Sequence, residues 1–276
     1  MKKHIIIGIV SAAIIAAVCG ACKFDDQEVS YSYTSVLFPN RDYNRNLIVG
    51  EGLRLSAGII FAGVVTNDRD RTVQYVIDPS LIIDAGQSPL PPAYYTCGHA
   101  SQIVVPAGQL KGYLPVEMDS AAFLSDPKSL TGEYILPLRL VSSDDVDSIS
   151  PDLNFIRISV SYYAKQHGNY TYSGSVSRTK SGTAKDTTYQ NIASENDGVR
   201  FLKTVGAAQF LMTADPKNNY DPVKADGVSF LLDVPVHGGG AVSITADPAS
   251  SVAVTPDGTS EYDAANKTFR LNYKYT

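Results

Sequence analysis

Phe155-Ile156-Arg157-Ile158-Ser159-Val160-Ser161-Tyr162-Tyr163 is the stretch on which the reading of this chain turns. Ile156, Ile158, Val160 and Tyr162 fall on one side of an extended backbone, and Arg157, Ser159 and Ser161 on the other. A period of two with β-branched residues on the apolar side marks a strand with one buried and one wet face. Such a strand needs neighbours along its edges and a second layer over its apolar row, so the rest of the chain must supply both.

Upstream, the same texture recurs. Leu53–Val65 and Thr72–Ile77 are apolar or β-branched runs separated by Asn67-Asp68-Arg69-Asp70, a polar cluster that predicts a hairpin. Gln102–Val105 runs into the turn Pro106-Ala107-Gly108, and Glu133–Val141 reads as another strand. Gly112–Met118 is also a strand, and Pro115 assigns it to a sheet edge, because proline has no N–H to give to a ladder. One short helix is expected: Asp119-Ser120 caps Ala121–Ser125, and Pro127 ends it.

A boundary falls at Ala164-Lys165-Gln166-His167-Gly168. Beyond it Tyr170, Tyr172 and Val176 alternate with polar residues, and Ser177–Lys185 reads as a polar loop around Gly182. Val199–Met212 fits a helix by length, but Gly206 and the spacing of Val199, Phe201 and Val205 favour two strands with a bend. Val228, Phe230, Leu232, Val234 and Val236 share one face of a strand closed by Gly238-Gly239-Gly240. Val242/Ile244 and Val252/Val254 are short strands. The last run sets Phe269, Leu271, Tyr273 and Tyr275 against Thr268, Arg270, Asn272 and Lys274, after a turn at Asn266-Lys267. Many short strands with turn signals between them predict an all-β chain of sandwich or barrel type, in two domains, 31–163 and 168–276.

Composition narrows the function. With 276 residues and 44% hydrophobic content the chain can bury a core, which excludes wholesale disorder. A net charge of −5 and a pI near 5.3 argue against nucleic acid as a partner, since phosphate backbones demand a lysine and arginine surplus. Three cysteines cannot make a disulfide scaffold.

The N-terminus reads as an address. Lys2-Lys3-His4 precedes the apolar run Ile5–Val18, which is shorter than the roughly 20 residues of a membrane span and fits a secretory signal over residues 1–21. Gly20-Ala21-Cys22 closes it and resembles a bacterial lipobox, although Cys19 stands where leucine is usual. The resemblance implies a lipid on Cys22 and a tether over 22–30. Removing Lys2 and Lys3 with the signal lowers the charge by two, from −5 to −7. Cys97 is then the lone cysteine without a lipid or signal role.

Reactive constellations are few in the sequence. Asp144-Asp145-Val146-Asp147 has the density of a weak calcium site but reads better as a solvated turn. Glu117 and Asp119 close a strand and could in principle pair for acid–base work, but as surface acids they need no such role. Cys97 and His99 would share a strand face, yet no third residue orients them. His167 and His237 lie far apart and lack metal-ligand spacing. No metal, cofactor or catalytic set is expected. Aromatic residues remain as candidates. Sugar rings stack on flat aromatic faces, tryptophan is absent, and 17 tyrosines are present. Tyr94 and Tyr95, after Pro91-Pro92, and Tyr163 are the candidates for stacking on glycan.

Tyr94-Tyr95, Ile103–Gly108, Gly112–Val116, Tyr134–Leu138 and the strand ending Tyr162-Tyr163 resemble, in order and spacing, a Bacteroidetes module. That module is an N-terminal domain of unknown function in surface lipoproteins of polysaccharide-utilisation loci, found also ahead of some family-18 glycosidases. The resemblance covers about residues 29–163 and implies an immunoglobulin-like β-sandwich. Gly168-Asn169-Tyr170, Gly174 and the ending Tyr262-Asp263 to Tyr275 are similar to the C-terminal domain often paired with it, an antiparallel lipocalin-like barrel. Together these imply a non-enzymatic lipoprotein of the outer membrane, facing the cell exterior, that binds or presents glycan to importer proteins. A structural or adhesin-like spacer with a protein partner is the rival expectation. Weaker rivals are a carrier of an apolar ligand in the barrel and a hydrolase.

Overall fold

The computed structural model describes residues 33–180, 182–192, 199–213 and 229–275. The expected signal, tether and lipidated Cys22 lie outside these residues. Eleven strands form the first half: β1 (Ser35–Leu37), β2 (Asp42–Ile48), β3 (Arg54–Ala62), β4 (Arg71–Ile77), β5 (Ser88–Pro89), β6 (Tyr95–Cys97), β7 (Gln102–Val105), β8 (Lys111–Met118), β9 (Tyr134–Ser142), β10 (Ser148–Ile149) and β11 (Phe155–Tyr163). They make two sheets, ordered β10-β1-β3-β8-β6 and β2-β11-β9-β4-β7, with β5 beside β9. The inward rows of both sheets, Val36, Ile59 and Leu114 on one and Val73, Leu136 and Ile158 on the other, are sealed from water and form one core.

Strand β11 behaves as its alternation demands. Ile156, Ile158, Val160 and Tyr162 are buried in that core. Its edges are taken by β9 in antiparallel and β2 in parallel register. The parallel pairing is pinned by side chains facing one another across it. The Arg157 guanidinium grips both oxygens of Asp42, at 2.7 and 2.9 Å, and Ser161 Oγ lies 2.6 Å from Asn46 Oδ1. Arg157 in turn holds the Asp42 carboxyl below its usual range. The expected helix is α1 (Ser120–Ser125), whose first turn is capped by Asp119 Oδ1 accepting the Ala122 N–H at 2.8 Å.

Two expectations for this half are corrected. Asn67–Asp70 is not a hairpin turn, because β3 lies in one sheet and β4 in the other. Asn67 is 3% exposed, and its amide donates to the Pro106 carbonyl at 2.9 Å while its Oδ1 accepts from Arg71 Nε. The polar cluster therefore anchors a crossing between layers. Strand β8 is not an edge either, since β6 lies outside it. Proline is tolerated there because β6 is short: Pro115 stands opposite Gly98, one residue past its end, and its carbonyl accepts the Gly98 N–H at 2.8 Å. A missing donor at that point leaves no acceptor stranded in the ladder.

The second half holds β12 (Gly168–Lys180), β13 (Thr183–Ile192), β14 (Val199–Thr204), β15 (Gln209–Thr213), β16 (Ser229–Asp233), β17 (Gly240–Ala241), β18 (Ser243–Ala246), β19 (Val254–Pro256), β20 (Glu261–Asp263), β21 (Thr268–Arg270) and β22 (Tyr273–Tyr275). An antiparallel sheet runs β13-β12-β14-β15-β16-β18, with β17-β20-β21 and β19-β22 as smaller sheets. Leu202, Phe210, Phe230, Leu232 and Ile244 form its core. The bend expected at Gly206 separates β14 from β15, whereas Val228 lies outside the described residues.

Ser177–Lys185 is not a loop. The β12 and β13 ladder continues to Lys180 opposite Thr183, around Gly182 at φ +80°, a conformation that glycine adopts without strain. The terminal run is two strands in two sheets. Asn272 breaks it: its N–H donates to Ser260 Oγ at 2.9 Å, its side chain to the Thr259 carbonyl, and its own carbonyl accepts from Asp257. Local bonds to a neighbouring loop outcompete the ladder at that residue.

Candidate functional site

Where the two halves meet, the chain leaves a cleft of about 560 Å³. Four segments build it. The first is the end of β2, where Ile48 is followed by a turn at Gly50 (φ +85°) and by Glu51. The Val49 N–H donates to the Tyr163 carbonyl at 2.8 Å and ties this turn to the end of β11. The second is the connection 164–167 itself, with Tyr170 beyond it. The third is Val236-His237-Gly238, after β16, in which Val236 packs against the sandwich core. The fourth is Tyr262 on β20 and the turn that ends at Lys267.

The connection is held firmly. Thr204 Oγ1 accepts the Ala164 N–H at 3.2 Å, and the Thr204 N–H donates to His167 Nδ1 at 3.1 Å. A nitrogen that accepts a backbone N–H carries no proton, so His167 is neutral with its proton on Nε2. Burial, and then the nearby Lys203 charge, push its pKa down. The ring stacks on Tyr163 at 4.5 Å and meets the edge of Phe201 at 5.1 Å. Tyr170 donates to the Gln166 carbonyl at 2.7 Å, and burial pushes its phenol up to about 12, so it stays a neutral donor.

The cleft is mixed in character. Ile48, Ala164 and Val236 are apolar, and Tyr170 and Tyr262 are aromatic. Tyr262 stacks on Phe269 at 4.4 Å, and Tyr170 meets that same ring edge-on at 5.5 Å. Lys165 Nζ lies 3.4 Å from Glu51 Oε1. A cleft with aromatic and apolar surface and a few placed polar groups is the usual form of a small-molecule or saccharide site.

The sequence candidates disperse. Tyr163 borders the cleft, but one face of its ring is taken by His167. Tyr94 and Tyr95 pack against the sandwich core instead. Tyr94 meets Phe123 and Tyr134 edge-on, and its hydroxyl donates to Asp126 at 3.1 Å. Asp126 also accepts from Tyr134 at 2.5 Å; these bonds hold its carboxyl below the usual range and push the Tyr134 phenol up.

The acids are committed to structure. Glu117 pairs with Arg54 across the sheet, and Asp119 caps α1. Asp145 accepts the Thr72 N–H, and Asp147 accepts both the N–H and the hydroxyl of Thr34, which fastens the β10 region to β1. Among the described residues no three metal-ligating side chains gather. Cys97 is half-buried, and burial raises its pKa, the opposite of an activated thiol. His99 is exposed, and its carbonyl accepts from Tyr75 at 2.6 Å.

The reading by sequence missed His167, His237, Tyr170, Tyr262 and Lys267 as one group. Their spacing along the chain carries no motif. The available signals were the boundary at 164–168 and the Gly-rich turn after Val236, both of which mark chain passing between layers.

A family model described as an N-terminal domain matches residues 32–147. No curated protein matches the chain. The fold is similar to that of a Bacteroides ovatus protein of unknown function, with a TM-score of 0.67 and 21% identity over 88% of this chain and 93% of that one. An auxiliary nutrient binding protein from Bacteroides thetaiotaomicron aligns over 81% of this chain and 76% of its own, at 14% identity and a TM-score of 0.46, too distant to relate the two in function.

Proposed function

We propose that this chain is a non-enzymatic surface lipoprotein, anchored through Cys22 in the outer membrane, that binds glycan and presents it to an importer. In this reading residues 31–163 form an immunoglobulin-like sandwich and 168–276 a lipocalin-like domain. The observation that carries the proposal is the cleft between the two halves, where Tyr170 and Tyr262 stand beside His167, His237 and lysine side chains. Sugars bind to such surfaces because their C–H faces are apolar while their hydroxyls need donors and acceptors nearby.

The test is calorimetry of the full chain against a panel of neutral and acidic polysaccharides. Saturable binding that His237→Ala, a change at an exposed cleft residue, weakens at unchanged melting temperature supports the reading. A folded chain that binds none of them overturns it in favour of a spacer with a protein partner, and release of reducing sugar overturns it in favour of a hydrolase. For the anchor, Cys22→Ala is expected to move the protein from the membrane to the soluble fraction.

A further inference from the structure

We infer that the cleft selects an acidic saccharide, one that carries carboxylate or sulfate. This inference rests on the glycan reading above and adds the charge of the ligand. The chain as a whole is acidic, with a net charge of −5, yet the cleft gathers Lys165 and Lys267 against one carboxylate, Glu51. A local surplus of positive charge inside a concavity focuses the field and draws anions there, against the sign of the whole molecule.

The two lysines differ in how free they are. Lys165 is shared with Glu51 at 3.4 Å, and both side chains are about half exposed, so water screens that pair and little holds it closed. Lys267 has no carboxylate within ion-pair distance among the described residues. The two acids of the preceding strand, β20, are engaged elsewhere: Asp263 accepts the N–H groups of Ala265 and Asn266 and the Asn266 side chain, and Glu261 pairs with Arg270 at 2.9 Å.

The backbone at Lys267 adds a second observation. Its φ is +51°, and it is the single non-glycine residue with positive φ among those described. Glycine or asparagine suits that conformation better than lysine, so the position favours a residue other than the one it holds. Lys267 nonetheless occupies it, and the residue lines the cleft. Gly50 takes φ +85°, which accounts for the glycine, and a Cβ built on it would reach ordinary van der Waals contact with the His237 ring (3.4 Å) and Lys165 Cε (3.5 Å), which sets both groups beside this turn.

The experiment is calorimetry of the full chain with oligosaccharides matched in backbone and differing in charge. Oligogalacturonate is compared with its methyl ester, and sulfated galactan oligomers with the desulfated form. The acidic member of at least one pair is expected to bind about tenfold tighter, with the gap closing as salt rises toward about 1 M. Which pair shows the gap tells carboxylate from sulfate. Lys267→Gly is expected to abolish the gap while leaving thermal stability equal or higher, since glycine fits that φ better. Equal affinity within both pairs, or a gap that Lys267→Gly leaves intact, overturns the inference and spares the glycan reading. Binding of no member of this set or of the wider panel overturns both.

Discussion

His167 accepts, at Nδ1, the backbone N–H of Thr204, whose hydroxyl in turn takes the N–H of Ala164. One threonine thereby holds both ends of the connection between the sandwich and the second half. Because the imidazole is an acceptor at this nitrogen, adding a proton turns an attraction into two N–H groups facing each other.

Stability is therefore expected to fall in mild acid. The His167 pKa is lowered in the folded chain from an ordinary value of 6.5, so its contribution is fully present above about 6.5 and is lost as pH falls through the lower folded value. Melting curves between pH 7 and 5 check this. His167→Asn keeps an acceptor oxygen near the Nδ1 position and should flatten that part of the slope; an unchanged slope assigns it to other groups.

Thr204→Val should cost about 1–3 kcal/mol, because it strands the buried Ala164 N–H. Urea denaturation measures it. Thr204→Ser, which keeps the hydroxyl, should recover most of the loss.

Gly98 tests the account of Pro115. A Cβ on Gly98 would lie 2.5 Å from Pro115 Cγ. Gly98→Ala should destabilise by about 1–3 kcal/mol, and in the Pro115→Ala background the same change should cost clearly less. Equal costs in the two backgrounds would separate the residues.

Tyr94 is a packing residue in this structure, with its hydroxyl on Asp126. Tyr94→Phe should lower stability by about 1 kcal/mol and leave saccharide affinity unchanged. A loss of affinity at constant stability would instead place the Tyr94 hydroxyl against the saccharide.

Strand β11, the Asp119 cap and the bend at Gly206 were legible in the sequence because each rests on interactions within a few residues. What was not legible depended on distant partners. Asn67 looks like any turn asparagine until the Pro106 carbonyl is placed beside it. The alternation from Phe269 to Tyr275 is continuous in sequence, and only the loop at Thr259-Ser260 explains why Asn272 leaves the ladder. Tyr94 and Tyr95 read as exposed because they follow two prolines, yet the rings fold back onto the core. His167 and His237 share a cleft only because Val236 packs on the sandwich and carries its neighbour to the junction.

The histidines also give the most direct test of the central claim, that glycan binds between the two halves. The chain has four: His99 on the sandwich, His167 and His237 at the cleft, and His4 near the N-terminus. A nitrogen–proton correlation spectrum of the imidazoles, recorded during titration with the tightest-binding saccharide of the panel, reports on each site separately. The account predicts that the His167 and His237 signals shift together while His99 stays still. A shift confined to His99, or saturation of binding with both cleft signals unmoved, would contradict it.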